Sequence, residues 1–95
     1  MTLTELRYIV TLAREKHFGH AAERCHVSQP TLSVAVRKLE DELGIALFER
    51  SKNSIQVTEI GQRIVEQAQR VLDQAGVIHD LAEYANNQRS APLKV

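Results

Sequence analysis

Apolar positions recur along this chain in two rhythms, and the change from one to the other locates its elements. Leu6, Ile9, Val10 and Ala13 repeat at helical spacing. They follow Thr2-Leu3-Thr4-Glu5, a capping-box pattern in which Thr2 is the N-cap and Glu5 reaches back to it. A first helix is expected over about residues 3–16. His17-Phe18-Gly19 interrupts the pattern. A short second helix is expected over roughly residues 19–25, with Ala21, Ala22 and Cys25 on its inner face. The small alanines suit close helix–helix approach, and His26-Val27 forms a tight turn. Ser28 then fits the N-cap of a third helix, with Pro30 in the first turn, where its missing N–H costs little. Leu32, Val36, Leu39 and Leu43 make an apolar stripe, and Gly44 suits a left-handed C-cap.

The rhythm changes after Gly44. Leu47 to Arg50 and Ile55 to Val57 are short and rich in apolar or β-branched residues, with Ser51-Lys52-Asn53-Ser54 between them. This predicts a β-hairpin with a four-residue loop. Thr58 caps a long final helix running to about Gln88. Ile64, Ala68, Val71, Ala75, Ile78 and Ala82 follow in steps of 4, 3, 4, 3 and 4, a heptad seam. Half of that seam is alanine, so Leu72 and Leu81 on its flanks add to the buried area. No second apolar stripe of the chain is left to cover it, and a partner helix is expected to do so. Glu66, Gln69, Arg70, Asp73 and Asp80 form the solvated side. Gly76 lies inside this helix at a cost of about 1 kcal/mol against alanine, with close packing as its only rationale. Ser90 to Val95 breaks the helix and turns apolar, as though a strand of a longer protein began there. The expected fold is mostly α: a winged helix-turn-helix of three helices plus a β-hairpin wing, followed by a long linker helix. The expected division is 1–58 for the winged unit, 59–88 for the linker and dimerisation helix, and 89–95 for a hinge and the start of a further domain.

Composition narrows the function classes. The chain has 95 residues, enough for one domain, with 43% hydrophobic and 25% charged residues. No apolar run approaches the roughly 18–20 residues of a membrane span. Met1 to Arg7 lacks the basic and apolar regions of a signal peptide, so the expected location is the bacterial cytoplasm, at the nucleoid. One cysteine, Cys25, excludes a disulfide within the chain. A net charge of zero counts against nucleic-acid binding, whose affinity comes largely from phosphate contacts. The positions of the charges reverse that inference. Residues 1–58 hold 8 basic and 7 acidic groups and residues 59–95 hold 4 and 5, yet residues 28–39 carry Arg37 and Lys38 and no acid. Neutrality is an average over a polarised surface.

A helix-turn-helix must bury one face of its third helix and offer the other to the major groove. Gln29, Ser33 and Arg37 stack four residues apart beside the core stripe, flanked by Ser28, Pro30, Thr31, Val34 and Lys38. Glutamine pairs with adenine and arginine with guanine through two bonds each, serine can donate or accept, and Val34 offers a contact to a thymine methyl. A plain solvated face is the alternative reading, and the order of the elements weighs against it. Glu40-Asp41-Glu42 opposes the helix dipole and is expected to point away from phosphate. Arg50 and Lys52 flank the hairpin tip, where they serve either phosphates and a narrow minor groove or edge-strand protection. His20, at the start of the second helix, is expected to meet a backbone phosphate. His17, His20, Cys25 and His26 are suitable metal donors, but their spacing fits no zinc framework and Cys25 falls on an inner face, so no metal is assigned. No phosphate-binding glycine loop, HExxH or nucleophile elbow is present, which argues against an enzyme and against a cofactor.

Ala21-Ala22-Glu23-Arg24 through Ser28-Gln29-Pro30-Thr31-Leu32-Ser33 resembles the LysR-type transcriptional regulators. So do Lys38-Leu39-Glu40-Asp41-Glu42-Leu43-Gly44, Leu47-Phe48-Glu49-Arg50 and Val57-Thr58-Glu59-Ile60-Gly61. Within that family the run from His17 to Ser33, with its Cys25-His26 pair, is most similar to the hydrogen-peroxide-sensing members; many relatives have leucine at Cys25. Val34 departs from the glycine or arginine common in the family. The resemblance implies an activator or repressor that binds an interrupted dyad in double-stranded promoter DNA. It implies Gln29, Pro30, Thr31, Ser33 and Arg37 facing bases and nearby phosphates, Arg50 and Lys52 in the wing, and a homodimer through antiparallel last helices. It further implies a tetramer and RNA polymerase as a partner for a full-length protein, whose peroxide-reactive cysteines lie in the regulatory domain. Two alternatives stand beside it: a LysR-type regulator of another small-molecule inducer, and a helical protein-interaction module.

Overall fold

The computed structural model describes residues 1–51 and 54–90. Helix α1 spans Leu3–Glu15 and opens on the expected capping box. The Glu5 amide donates to Thr2 Oγ1 at 3.1 Å, and the Thr2 amide donates to Glu5 Oε1 at 2.9 Å. Lys16 ends it in the left-handed conformation, with its N–H donating to Leu12 O. Leu6, Ile9, Val10 and Leu12 are buried along one side.

Helix α2 spans Phe18–Cys25, one residue earlier than its apolar pattern suggested. The reason is an N-cap not apparent in the sequence: His17 Nδ1 accepts the His20 amide N–H at 3.0 Å. A histidine can do this only through a ring nitrogen that carries no proton. Ala21 and Ala22 are buried against α1 and α3, as their size suggested. Cys25 is only half-buried, which corrects its assignment to the inner face. It occupies the last turn, next to the left-handed His26, where α2 ends.

Helix α3 spans Gln29–Leu43, with Ser28 as N-cap, Pro30 in the first turn and Gly44 in the left-handed C-cap conformation at φ 74°. Leu32, Val36 and Leu39 are fully buried, but Leu43 is 37% exposed. The inward stripe therefore ends one turn early, and the fully buried Leu47 contributes to the core after the turn.

Strands β1 (Phe48–Ser51) and β2 (Ser54–Val57) pair antiparallel, with Phe48 opposite Val57 and Ser51 opposite Ser54. The two serines were expected in the loop; they form the last ladder pair instead, their hydroxyl oxygens 2.7 Å apart. Lys52 lies outside the described residues.

Helix α4 spans Glu59–Ser90, about 48 Å of helix at 1.5 Å per residue. Thr58 Oγ1 accepts the Gly61 amide at 2.9 Å and donates to Ala46 O at 2.8 Å, joining the new helix to the turn before β1. Gly61 is required at that junction, because a Cβ there would run into the Leu47 carbonyl oxygen. The heptad seam does not act as one surface. Ala68 is buried, and Ile64 and Leu72 pack on the core alongside Val65, through contacts between α4 and α1. The expectation that no part of this chain covers the seam is corrected for its first half: α1 covers it. Beyond Ala75 residues 76–88 of the helix are all exposed, and the molecule reaches 64 Å along its longest axis. Ala91 to Val95, where a strand was expected, lie outside the described residues.

Candidate nucleic-acid interface

Burial of Leu32, Val36 and Leu39 fixes how α3 is rotated. Gln29, Pro30, Thr31, Val34, Arg37 and Lys38 are exposed as a result, and Ser33 is half-buried at the margin. Gln29 to Arg37 covers about 12 Å of helix, or three to four base-pair steps of 3.4 Å. Val34 is 67% exposed in the middle of this face, one turn from the exposed Pro30 and otherwise among polar side chains. Ser28 Oγ accepts the Thr31 amide at 3.3 Å and donates to Thr31 Oγ1 at 2.8 Å. The Ser28 proton is thereby committed, and the Thr31 hydroxyl proton stays free for an outside acceptor.

The acidic run that follows this face has an internal role. One Glu40 oxygen accepts the amides of Leu47 at 2.7 Å and Phe48 at 3.1 Å, tying α3 to the start of β1. Glu42 meets the Met1 ammonium at 2.8 Å, which raises the pKa of that amine above its ordinary value. Two of the three carboxylates thus have local partners, and neither lies within the 28–39 stretch.

The wing folds back on α2. The Arg50 guanidinium lies over the Phe18 ring, 4.5 Å from its centroid. Lys16, His17, Gly19, Gln29, Ser51 and Ser54 complete a cleft between the starts of α2 and α3 and the hairpin. His20 is exposed beside it, with its ring stacked on His17 at a centroid separation of 4.0 Å. Arg37, Lys38 and Arg50 have no carboxylate partner among the described residues, whereas Arg24 pairs with Glu15 at 3.6 Å. The sequence marks Phe18 and Gly19 only as part of a break between helices and gives no sign of Lys16 in this cleft. The cysteine and histidines weighed as metal donors form no three-ligand group among the described residues. His79, Asp80 and Glu83 do come together, all exposed on α4.

The second half of the seam is open. Val71, Ile78, Leu81 and Ala82 are exposed, Ile78 by 70%, and Ala75 is half-buried. Val71, Ala75 and Ile78 form an apolar groove with Leu3 of α1, which the heptad pattern could not include.

The hydrogen peroxide-inducible genes activator of Pectobacterium carotovorum is 45% identical over 95 residues, covering 100% of this chain and 32% of that activator. A full-length OxyR variant from Pseudomonas aeruginosa superposes with a TM-score of 0.86 at 69% identity, over 88% of this chain and 28% of that one. The DNA-binding domain of CbnR, solved with DNA, superposes with a TM-score of 0.84 at 36% identity, over 90% of this chain and 98% of that one. The chain thus spans about a third of the length of the activators it matches and nearly all of an isolated DNA-binding domain. Residues 3–62 match the bacterial regulatory helix-turn-helix proteins of the lysR family, and the chain belongs to that family.

Proposed function

We propose that this chain is the sequence-specific DNA-binding part of an OxyR-like regulator of the hydrogen-peroxide response. Residues 1–58 form the reading unit. Helix α3 enters the major groove with Gln29, Ser33, Val34 and Arg37 toward the bases, and Ser28, Pro30, Thr31, Lys38 and His20 toward the backbone. Arg50 and Lys52 bring the wing to the flanking phosphates. The observation that carries this reading is the outward face of α3: exposed base-pairing side chains with no acid among them, beside cations that no carboxylate neutralises among the described residues. Similarity to a DNA-binding domain solved on DNA supports it.

Residues 59–88 serve as the dimerisation helix, through Val71, Ala75, Ile78, Leu81 and Ala82 against a second copy. Ile64, Ala68 and Leu72 anchor that helix to its own reading unit. Two domains so joined bind a promoter dyad far more tightly than one neutral domain alone. The full-length regulator would be a cytoplasmic tetramer able to engage RNA polymerase, with its peroxide chemistry in the part that the longer relatives have beyond this region.

Binding to double-stranded promoter DNA at two salt concentrations tests the reading. Binding that weakens steeply with salt supports it; absence of salt-sensitive binding points to a helical interaction module. A full reading frame without a downstream cysteine pair would point to another inducer.

A further inference from the structure

Arg50 sits within β1 opposite Ile55, and its guanidinium is held over a ring rather than by an acid. That ring, Phe18, is the first residue of α2 and packs against the core. A ring face attracts a guanidinium through its quadrupole, yet it neither neutralises the charge nor occupies the five N–H donors. A carboxylate partner would do both. No carboxylate pairs with Arg50 among the described residues. The guanidinium thus stands over the ring without a compensating acid, at a cleft that also holds Lys16, Gln29, Ser51 and Ser54. Its planar donor edge matches a phosphate in two-pronged geometry.

We propose that Phe18 is a positioning residue for DNA binding: its ring holds Arg50 between the reading helix and the wing, ready for one backbone phosphodiester. This rests on the DNA-binding reading above. Phe18 touches no DNA in this account; it removes the disorder that a long arginine would otherwise lose on binding.

The test measures binding of the chain to one labelled duplex, selected from a random library by the wild-type chain, across a series of salt concentrations. Arg50→Ala should lower the slope of log affinity against log salt by about one. Phe18→Leu keeps apolar volume and removes the ring face. It should weaken binding by about two- to fivefold, the strength of an exposed cation–π contact. In the Arg50→Ala background Phe18→Leu should have no further effect, and Phe18→Tyr should bind like wild type. An equal loss in both backgrounds, or no loss from Phe18→Leu while Arg50→Ala weakens binding, overturns the proposal. Absence of salt-sensitive binding by the wild type overturns the DNA reading itself, a separate result. Should Phe18→Leu fail to fold, nitrogen-15 relaxation of the Arg50 Nε–H in the wild type decides. An order parameter well above that of the exposed Arg37 supports the proposal, and an equal one overturns it.

Discussion

The Glu40 carboxylate, on the fourth turn of α3, accepts the Leu47 amide N–H at 2.7 Å. The same oxygen takes the Phe48 amide, so one side chain sets the wing relative to α3. Removing it leaves two strand-initiating amides without their charged acceptor. Glu40→Ala should cost about 2–3 kcal/mol of stability in urea unfolding. Removing an acid near a DNA-reading face would otherwise favour phosphate binding, so unchanged stability together with improved affinity would show that Glu40 does not hold the wing.

Val34 is open to solvent and has polar neighbours along its face. A thymine methyl is the group in the major groove that rewards an apolar side chain. Replacing the contacted thymine by uracil in a selected duplex should cost wild type about 1 kcal/mol, the value of one buried methyl. Val34→Ala should lose most of that discrimination. An unchanged thymine preference in the variant would remove Val34 from the reading set.

Two glycines of α4 should respond oppositely to alanine. Gly61 lies against the Leu47 carbonyl and the Thr58 hydroxyl, so Gly61→Ala should destabilise by about 1–3 kcal/mol. Gly76 has nothing within 4 Å of an added Cβ, so the close packing suggested for it is absent within this chain. Gly76→Ala should stabilise the helix by about 1 kcal/mol. Thermal unfolding of both variants reads the contrast. A destabilised Gly76→Ala would instead locate a close contact with a second copy.

The exposed half of the seam supplies the dimer prediction. Ile78→Glu places a charge in the apolar groove formed by Leu3, Val71 and Ala75. Sedimentation of the wild type at tens of micromolar should show a dimer, and the variant a monomer with unchanged helix content. Dimeric Ile78→Glu would move the interface elsewhere.

These elements differ in how plainly the sequence announces them. Thr2, Ser28, Gly44 and Thr58 act on backbone groups within a few residues, so local pattern identifies them. The rotation of α3 follows from Leu32, Val36 and Leu39, and with it the exposure of Gln29, Val34 and Arg37. His17 was hidden because histidine caps a helix only in one protonation form. Glu40 was hidden because its partners lie seven and eight residues away, beyond a turn. The seam shows the limit most clearly: a heptad pattern marks an apolar line but does not say which part its own chain covers. Arg50 was legible as a cation of the wing, whereas its rest on Phe18 depends on a contact 32 residues apart in the chain.

The most direct test of the central claim compares Arg37→Ala with wild type on the selected duplex and on its scrambled counterpart at one fixed salt concentration. A side chain that reads a base should cost about 1–3 kcal/mol on the selected duplex and relax the preference at one position, with a much smaller effect on the scrambled one. Lys52→Ala, as the internal comparison, should weaken both alike. Equal losses on both duplexes for Arg37→Ala, with no difference from Lys52→Ala, would contradict the assignment of α3 as the element that reads DNA sequence.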